Sequence, residues 1–196
     1  MSNAELALMT EPVTGAIPQD AGLTHRQNFI GTLVTDITRE KRLHLIHYLH
    51  SHLQMMLEIG ASDMDLGGPG CAGKIWYRIQ GQKSPVESDT PLSLDTTDLL
   101  CHSMITSEQR DTLLTEKNLD FSYALPSENG KTPQRFRADM YFELEHLALN
   151  VRRINPTIRP FKDLNLHPKV AQSLSVQYQK SGLVLITGIS GAGNPP

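Results

Sequence analysis

The sequence holds 196 residues, enough for one ample domain or for one domain and part of a second. Hydrophobic residues make up 39% and charged residues 20%, a globular balance, and 18 basic against 21 acidic side chains leave a net charge of −3 that proposes neither a nucleic-acid nor a polyanion partner. No apolar run reaches bilayer length and the N-terminus lacks an apolar signal core, so a cytoplasmic chain without membrane insertion is expected.

Residues 1–38 mix Pro12, Gly15, Pro18, Gly22 and Gly31 with small polar residues and show no sustained period; they read as a flexible lead-in around a short helix near Glu5–Met9. From Arg39 to Ile59 the pattern changes. Leu43, Leu45, Ile46, Leu49, Leu53, Met56 and Leu57 fall on one side of a helical wheel, the stripe that a long helix buries. His44, His47, His50 and His52 share this stretch, but the wheel sends them to different faces, so they do not converge on a metal and read as solvated helix histidines. Gly60 caps the helix, and Ser62-Asp63 turns the chain into a short strand at Met64–Leu66. Gly67-Gly68-Pro69-Gly70 is a loop rather than a phosphate cradle, because no long strand precedes it and no helical pattern follows. Cys71 in that loop and Cys101 in an expected helix have neither metal-ligand nor disulfide spacing and read as reduced thiols.

Ile75, Tyr77 and Ile79 alternate with Trp76, Arg78 and Gln80 as a half-buried strand, and Gly81-Gln82 turns it into a second strand over Lys83–Val86. Trp76 reads as packing rather than a stacking platform. Asp95 or Thr96 caps a helix to about Met104, and Thr106-x-x-Gln109 is a capping box opening another to about Lys117, with Asn118 as its stop. Leu119, Phe121, Tyr123 and Leu125 alternate as a strand. After the loop Pro126–Pro133, Gln134–Phe142 returns with Phe136, Ala138, Met140 and Phe142 on one face and Arg135, Arg137, Asp139 and Tyr141 on the other. Leu147–Ile154 adds a further antiparallel strand carrying Arg152 and Arg153. The expected class is therefore α+β, an antiparallel sheet with helices packed on one face, over residues 39–154.

Asn155-Pro156 and Arg159-Pro160 close that domain, and a linker over 155–167 follows. Residues 168–196 read as the start of a parallel α/β domain: a helix from Pro168 to about Lys180, ended by Gly182, then a buried strand at Leu183–Ile186 and a glycine-rich turn. The spacing Gly188-x-x-x-x-Gly193 is that of a P-loop, in which bare backbone N–H groups wrap a phosphate, Lys supplies charge and Ser or Thr holds Mg²⁺. Asn194 and Pro195 occupy the Lys and Ser/Thr positions. On spacing alone, a partial cradle made of Gly188, Ser190, Gly191, Ala192 and Gly193 and an ordinary glycine turn fit equally well. The ending reads as a coding break or gene fragment.

Five segments together resemble a known family: Gly60-Ala61-Ser62-Asp63-Met64-Asp65-Leu66, Leu119-Asp120-Phe121-Ser122-Tyr123, Gln134-Arg135-Phe136-Arg137-Ala138-Asp139, Val151-Arg152-Arg153-Ile154 and Lys180-Ser181-Gly182-Leu183-Val184-Leu185-Ile186-Thr187-Gly188. In this order they resemble the twitching-motility, pilus-retraction ATPases of PilT type, within the type II/IV secretion ATPase superfamily; Asp65 departs from the family's usual His. The resemblance implies a PAS-like N-terminal domain followed by a RecA-like ATPase domain, ATP and Mg²⁺ as cofactors, a hexameric homo-oligomer, and inner-membrane pilus-base proteins as partners. It also implies that Arg137 and Arg152 reach the nucleotide phosphates, with Arg135 and Arg153 as substitutes if strand register differs by one. On chemistry alone a cross-strand ion pair with Asp139 or Glu143 fits those arginines as well. With Asn194 and Pro195 where the P-loop needs Lys and a hydroxyl, the chain as given is expected not to hydrolyse ATP. A stand-alone module that docks on intact motor subunits is the alternative reading.

Overall fold

The structure, a computed structural model, describes residues 1–18, 22–87, 90–126, 133–155, 160–164, 166–175, 177–178, 181–185 and 187. The chain divides into two compact units, Met1–Ile154 and Asn155–Pro196.

The first unit is built on one six-stranded antiparallel sheet. In chain order its strands are β1 (Asp63–Gly67), β2 (Trp76–Ile79), β3 (Gln82–Pro85), β4 (Asn118–Leu125), β5 (Gln134–Glu143) and β6 (His146–Arg153). Their order in space is β3-β2-β1-β6-β5-β4, so two three-strand meanders meet where β1 pairs with β6. Strand parity follows the expected alternation. Phe136, Ala138 and Met140 of β5 are fully buried, while Arg135, Arg137 and Tyr141, of the opposite parity, are exposed.

The helices are α1 (Asn3–Thr14), α2 (Leu23–Asp36), α3 (Arg39–Glu58), α4 (Leu94–Met104) and α5 (Ser107–Glu116). In α3 the buried stripe is Leu45, Tyr48, Leu49, Leu53 and Met56, packed with Met64, Leu66, Phe136, Met140 and Val151 of the sheet in one core. The capping box at α5 forms as its spacing predicts, with Thr106 and Gln109 each bonding the other's backbone N–H. Two caps differ from expectation. Ser93, not Asp95 or Thr96, caps α4, which frees Asp95 to pair with Arg26 of α2. Lys117 ends α5 in the left-handed region at φ 63°, so Asn118 is already the first residue of β4.

Residues 3–14 and 23–36, expected as a flexible lead-in around a short helix near Glu5–Met9, form two helices, α1 and α2. Ser2 and Glu5 form a capping box that opens α1, and Leu6 of α1 and Ile30 and Val34 of α2 are fully buried. One of the glycines that suggest a loop has a local explanation. Gly31 lies inside α2 because a Cβ there would come within 2.4 Å of Arg110 Nε, so its bareness admits the Arg110 side chain against the helix. The helical period of α2 is hidden by polar residues on its inner face. Arg26 and Gln27 are buried, and Gln27 joins a network in which Asp98 of α4 accepts from Gln27 Nε2 at 2.9 Å and from the Leu147 N–H at 2.8 Å, with His146 Nδ1 at 2.9 Å. Buried polar groups paired in this way stabilise one arrangement of α2, α4 and the β5–β6 turn.

The histidines of α3 also differ from a uniformly solvated set. His44 and His47 are exposed, but His50 lies 2.7 Å from the Tyr123 hydroxyl, and His52 Nδ1 lies 3.1 Å from the Tyr77 hydroxyl. Burial lowers the pKa of His52 to about 4. Cys71 and Cys101 are both buried free thiols, and burial pushes the Cys71 thiol up to about 11. Trp76 packs as expected, its indole N–H donating to the Cys71 carbonyl at 3.0 Å.

In the second unit the described residues include a 3-10 turn at Phe161–Leu164 and helix α6 (Pro168–Leu174), which starts at Pro168 as expected and stops well before Lys180. Leu183, Val184 and Leu185, expected in a buried strand, form no strand and are exposed at 82%, 48% and 75%. A buried parallel strand needs neighbours on both faces, and no strand among the described residues of this unit supplies one. No helix among the described residues is long and apolar enough to cross a membrane.

Candidate functional site

Because α3, α4 and α5 cover one face of the sheet, the chemistry collects on the other. Strand pairing aligns side chains from all six strands there in two neighbouring rows. One row runs Ser122, Arg137, Arg152, Asp63, Arg78 and Lys83; the next runs Asp120, Asp139, Asn150, Asp65, Trp76 and Pro85. A mainly basic row thus lies beside an acidic one.

Arg137 and Arg152 are directly opposite each other on β5 and β6, with side chains 68% and 67% exposed. They line an open cleft of about 410 Å³ together with Asn118, Asp120, Asp139 and Asn150. Each arginine has a carboxylate on its outer side. Arg137 donates from Nε to both oxygens of Asp120 at 3.1 and 3.0 Å, and from Nη2 to one of them. Hydrogen bonds from Arg137 hold the Asp120 carboxyl below its ordinary range, and Asp120 in turn raises the Arg137 pKa. Arg152 donates from Nε to Asp63 at 2.8 Å, and Arg78 stands 3.7 Å from the same carboxylate.

These partners correct the expected ion pairs. Asp139 accepts from Asn118 at 2.8 Å, and Glu143 accepts from the Gly70 N–H at 3.1 and 3.2 Å, so neither is the hydrogen-bonded partner of Arg137 or Arg152. The two reserve arginines part company. Arg135 is on the Arg137 face and reaches Ser122 Oγ at 3.4 Å, whereas Arg153 pairs with Phe136 and therefore has the parity of the opposite face. Asp63, Asp120, Asn118 and Asn150 were not singled out from sequence as site residues. For Asp120 the signal was present, since it alternates with Leu119 and Phe121; for Asp63 it depends on the β1–β6 register. Gly188, Ser190, Gly191, Ala192 and Gly193 lie outside the described residues.

Chemically, the face offers two permanently charged guanidiniums at adjacent strand positions, each able to bind an oxyanion through paired N–H groups. Asp95, Asp98 and His146 also bring ligand-type atoms within 4.8 Å of one another, but Arg26, Gln27 and the Leu147 N–H already bond to these carboxylates.

The fold has solved counterparts. A crystal structure of the pilus retraction motor PilT with bound ADP matches at 26% identity and a TM-score of 0.50, over 62% of this chain and 33% of that one. The ATPase DotB of Legionella pneumophila matches at 17% identity and a TM-score of 0.53, over 65% of this chain and 34% of its own, a likeness of fold alone. Through the PilT match the chain is related, over about 62% of its length, to the type II/IV secretion ATPase superfamily. It spans about a third of the length of the solved chains it matches. No protein-family profile matches it, and no curated sequence does.

Proposed function

We propose that this chain is the N-terminal portion of an ATP-driven motor of the pilus-retraction kind, in which Arg137 and Arg152 present positive charge to the phosphates of a nucleotide. The observation that carries the reading is the pairing of these two exposed arginines side by side on the open face of a fold shared with PilT. Guanidiniums so placed stabilise the charge that spreads over phosphoryl oxygens during transfer. In the assembled motor the chain belongs to a homo-oligomeric, hexameric ring in the cytoplasm, acting with Mg²⁺ and ATP on pilus-base proteins of the inner membrane. The 196-residue chain binds nucleotide weakly and does not turn it over, because Asn194 and Pro195 replace the P-loop cation and the metal-binding hydroxyl.

Calorimetric titration of the chain with ATP tests the reading. Weak, salt-sensitive binding is expected, and the double variant R137A/R152A should lose about ten-fold or more of it through the missing charge-assisted hydrogen bonds. Unchanged binding by the double variant contradicts the phosphate role. Appreciable ATP hydrolysis by the purified chain contradicts the inactivity.

A further inference from the structure

Two cations directly opposite on neighbouring strands repel, and here carboxylates on their outer sides draw them apart. The two carboxylates are unlike. Asp63 on β1 has a side chain only 5% exposed; it accepts from Arg152 Nε at 2.8 Å and from Ser62 Oγ at 2.7 Å, with Arg78 at 3.7 Å. A carboxylate enclosed by that many donors keeps its place. Asp120 on β4 is 46% exposed, and among the described residues its hydrogen bonds come from Arg137 alone. It occupies the Nε–Nη2 edge of that guanidinium, the edge that grips a phosphate through two parallel N–H bonds.

We propose that Asp120 is an exchangeable counter-ion that occupies the phosphate-binding edge of Arg137, and that Asp63 is a fixed positioning residue that aims Arg152. The inference rests on the reading of this face as a polyphosphate site. An arriving polyphosphate displaces the Asp120 carboxylate and takes over its hydrogen bonds, while the Arg152–Asp63 pair stays closed. Within the cleft, Asp120 and Asp139 balance Arg137 and Arg152, leaving no net charge to attract an anion. Affinity is therefore set by how easily the one loosely held carboxylate is released. When no phosphate is present, the same contact keeps Arg137 from pairing with other acidic surfaces.

Inorganic tripolyphosphate, titrated into the full chain and its variants, tests the assignment. D120N should bind about ten-fold more tightly, since the competing charge-assisted pair is gone. D139N removes an equal charge from the same cleft without freeing Arg137, and should gain about two-fold or less from weaker Coulomb repulsion across exposed surface. D63N should bind less tightly. In the free protein, D120N but not D139N should move the Arg137 Nε–Hε resonance, a change that general charge removal does not produce. Equal tightening by D120N and D139N overturns the inference, as does no tightening by D120N while R137A/R152A still loses binding. If R137A/R152A binds like the parent chain, the polyphosphate reading itself falls and the inference with it.

Discussion

The two faces of the one sheet are made by alternate residues of the same strands, yet they do different work. On the helix-covered face, Phe136, Ala138 and Met140 of β5 pack against α3 and its neighbours in a closed core. On the open face, Arg137 and Asp139 from the same strand are held by single ion pairs and hydrogen bonds reachable by solvent. A pleated strand thus lets stability and binding be adjusted at neighbouring positions with little cross-talk. Substitutions that respect or violate this division sharpen the contrast.

The largest effect is expected for Phe136→Ala on the covered face. Phe136 is fully buried, and its truncation should destabilise the chain by about 3–5 kcal/mol in denaturant unfolding, through lost burial and a cavity. Asp98→Ala comes next. It leaves the Leu147 N–H, Gln27 and His146 without their shared acceptor, and about 3 kcal/mol should be lost, with the α2–α4 region exchanging amide hydrogens faster.

A smaller effect belongs to pH. Burial lowers the pKa of His52 to about 4 and of His102 to about 3, from an ordinary value of 6.5. Between those values the unfolded chain binds more protons than the folded one, so stability from these neutral rings is complete above pH 6.5 and is lost as pH falls toward 4 and then 3. Unfolding midpoints at pH 7 and pH 5 should show the decline, and His52→Gln should flatten it. A midpoint that rises on acidification contradicts this assignment. The smallest structural effect is expected on the open face, where Arg137→Ala should leave the unfolding midpoint unchanged while weakening tripolyphosphate binding.

Strand alternation made most of the sheet legible from sequence: the β4–β5–β6 meander, the parity of Arg137 against Phe136, and the capping box at Thr106 all follow from local patterns. Of α1 only the stretch near Glu5–Met9 was legible and α2 was not, because Pro12, Gly15, Pro18, Gly22 and Gly31 mimic a loop and because the buried face of α2 carries Arg26 and Gln27. The arginine partners were hidden for another reason. Asp63 meets Arg152 only through the β1–β6 pairing, 89 residues apart in sequence, and a register of that range has no local signature. Asp120 reaches Arg137 diagonally across β4–β5, where reasoning from residues nearby in sequence points instead to Asp139 or Glu143.

The most direct measurement is NMR observation of the arginine Nε–Hε groups while tripolyphosphate is added to the intact chain. Binding at the open face predicts that the Arg137 and Arg152 signals move together and saturate at a common concentration, with the core amides around Phe136 unmoved. Signals from both arginines that stay still while the anion binds elsewhere would contradict the account.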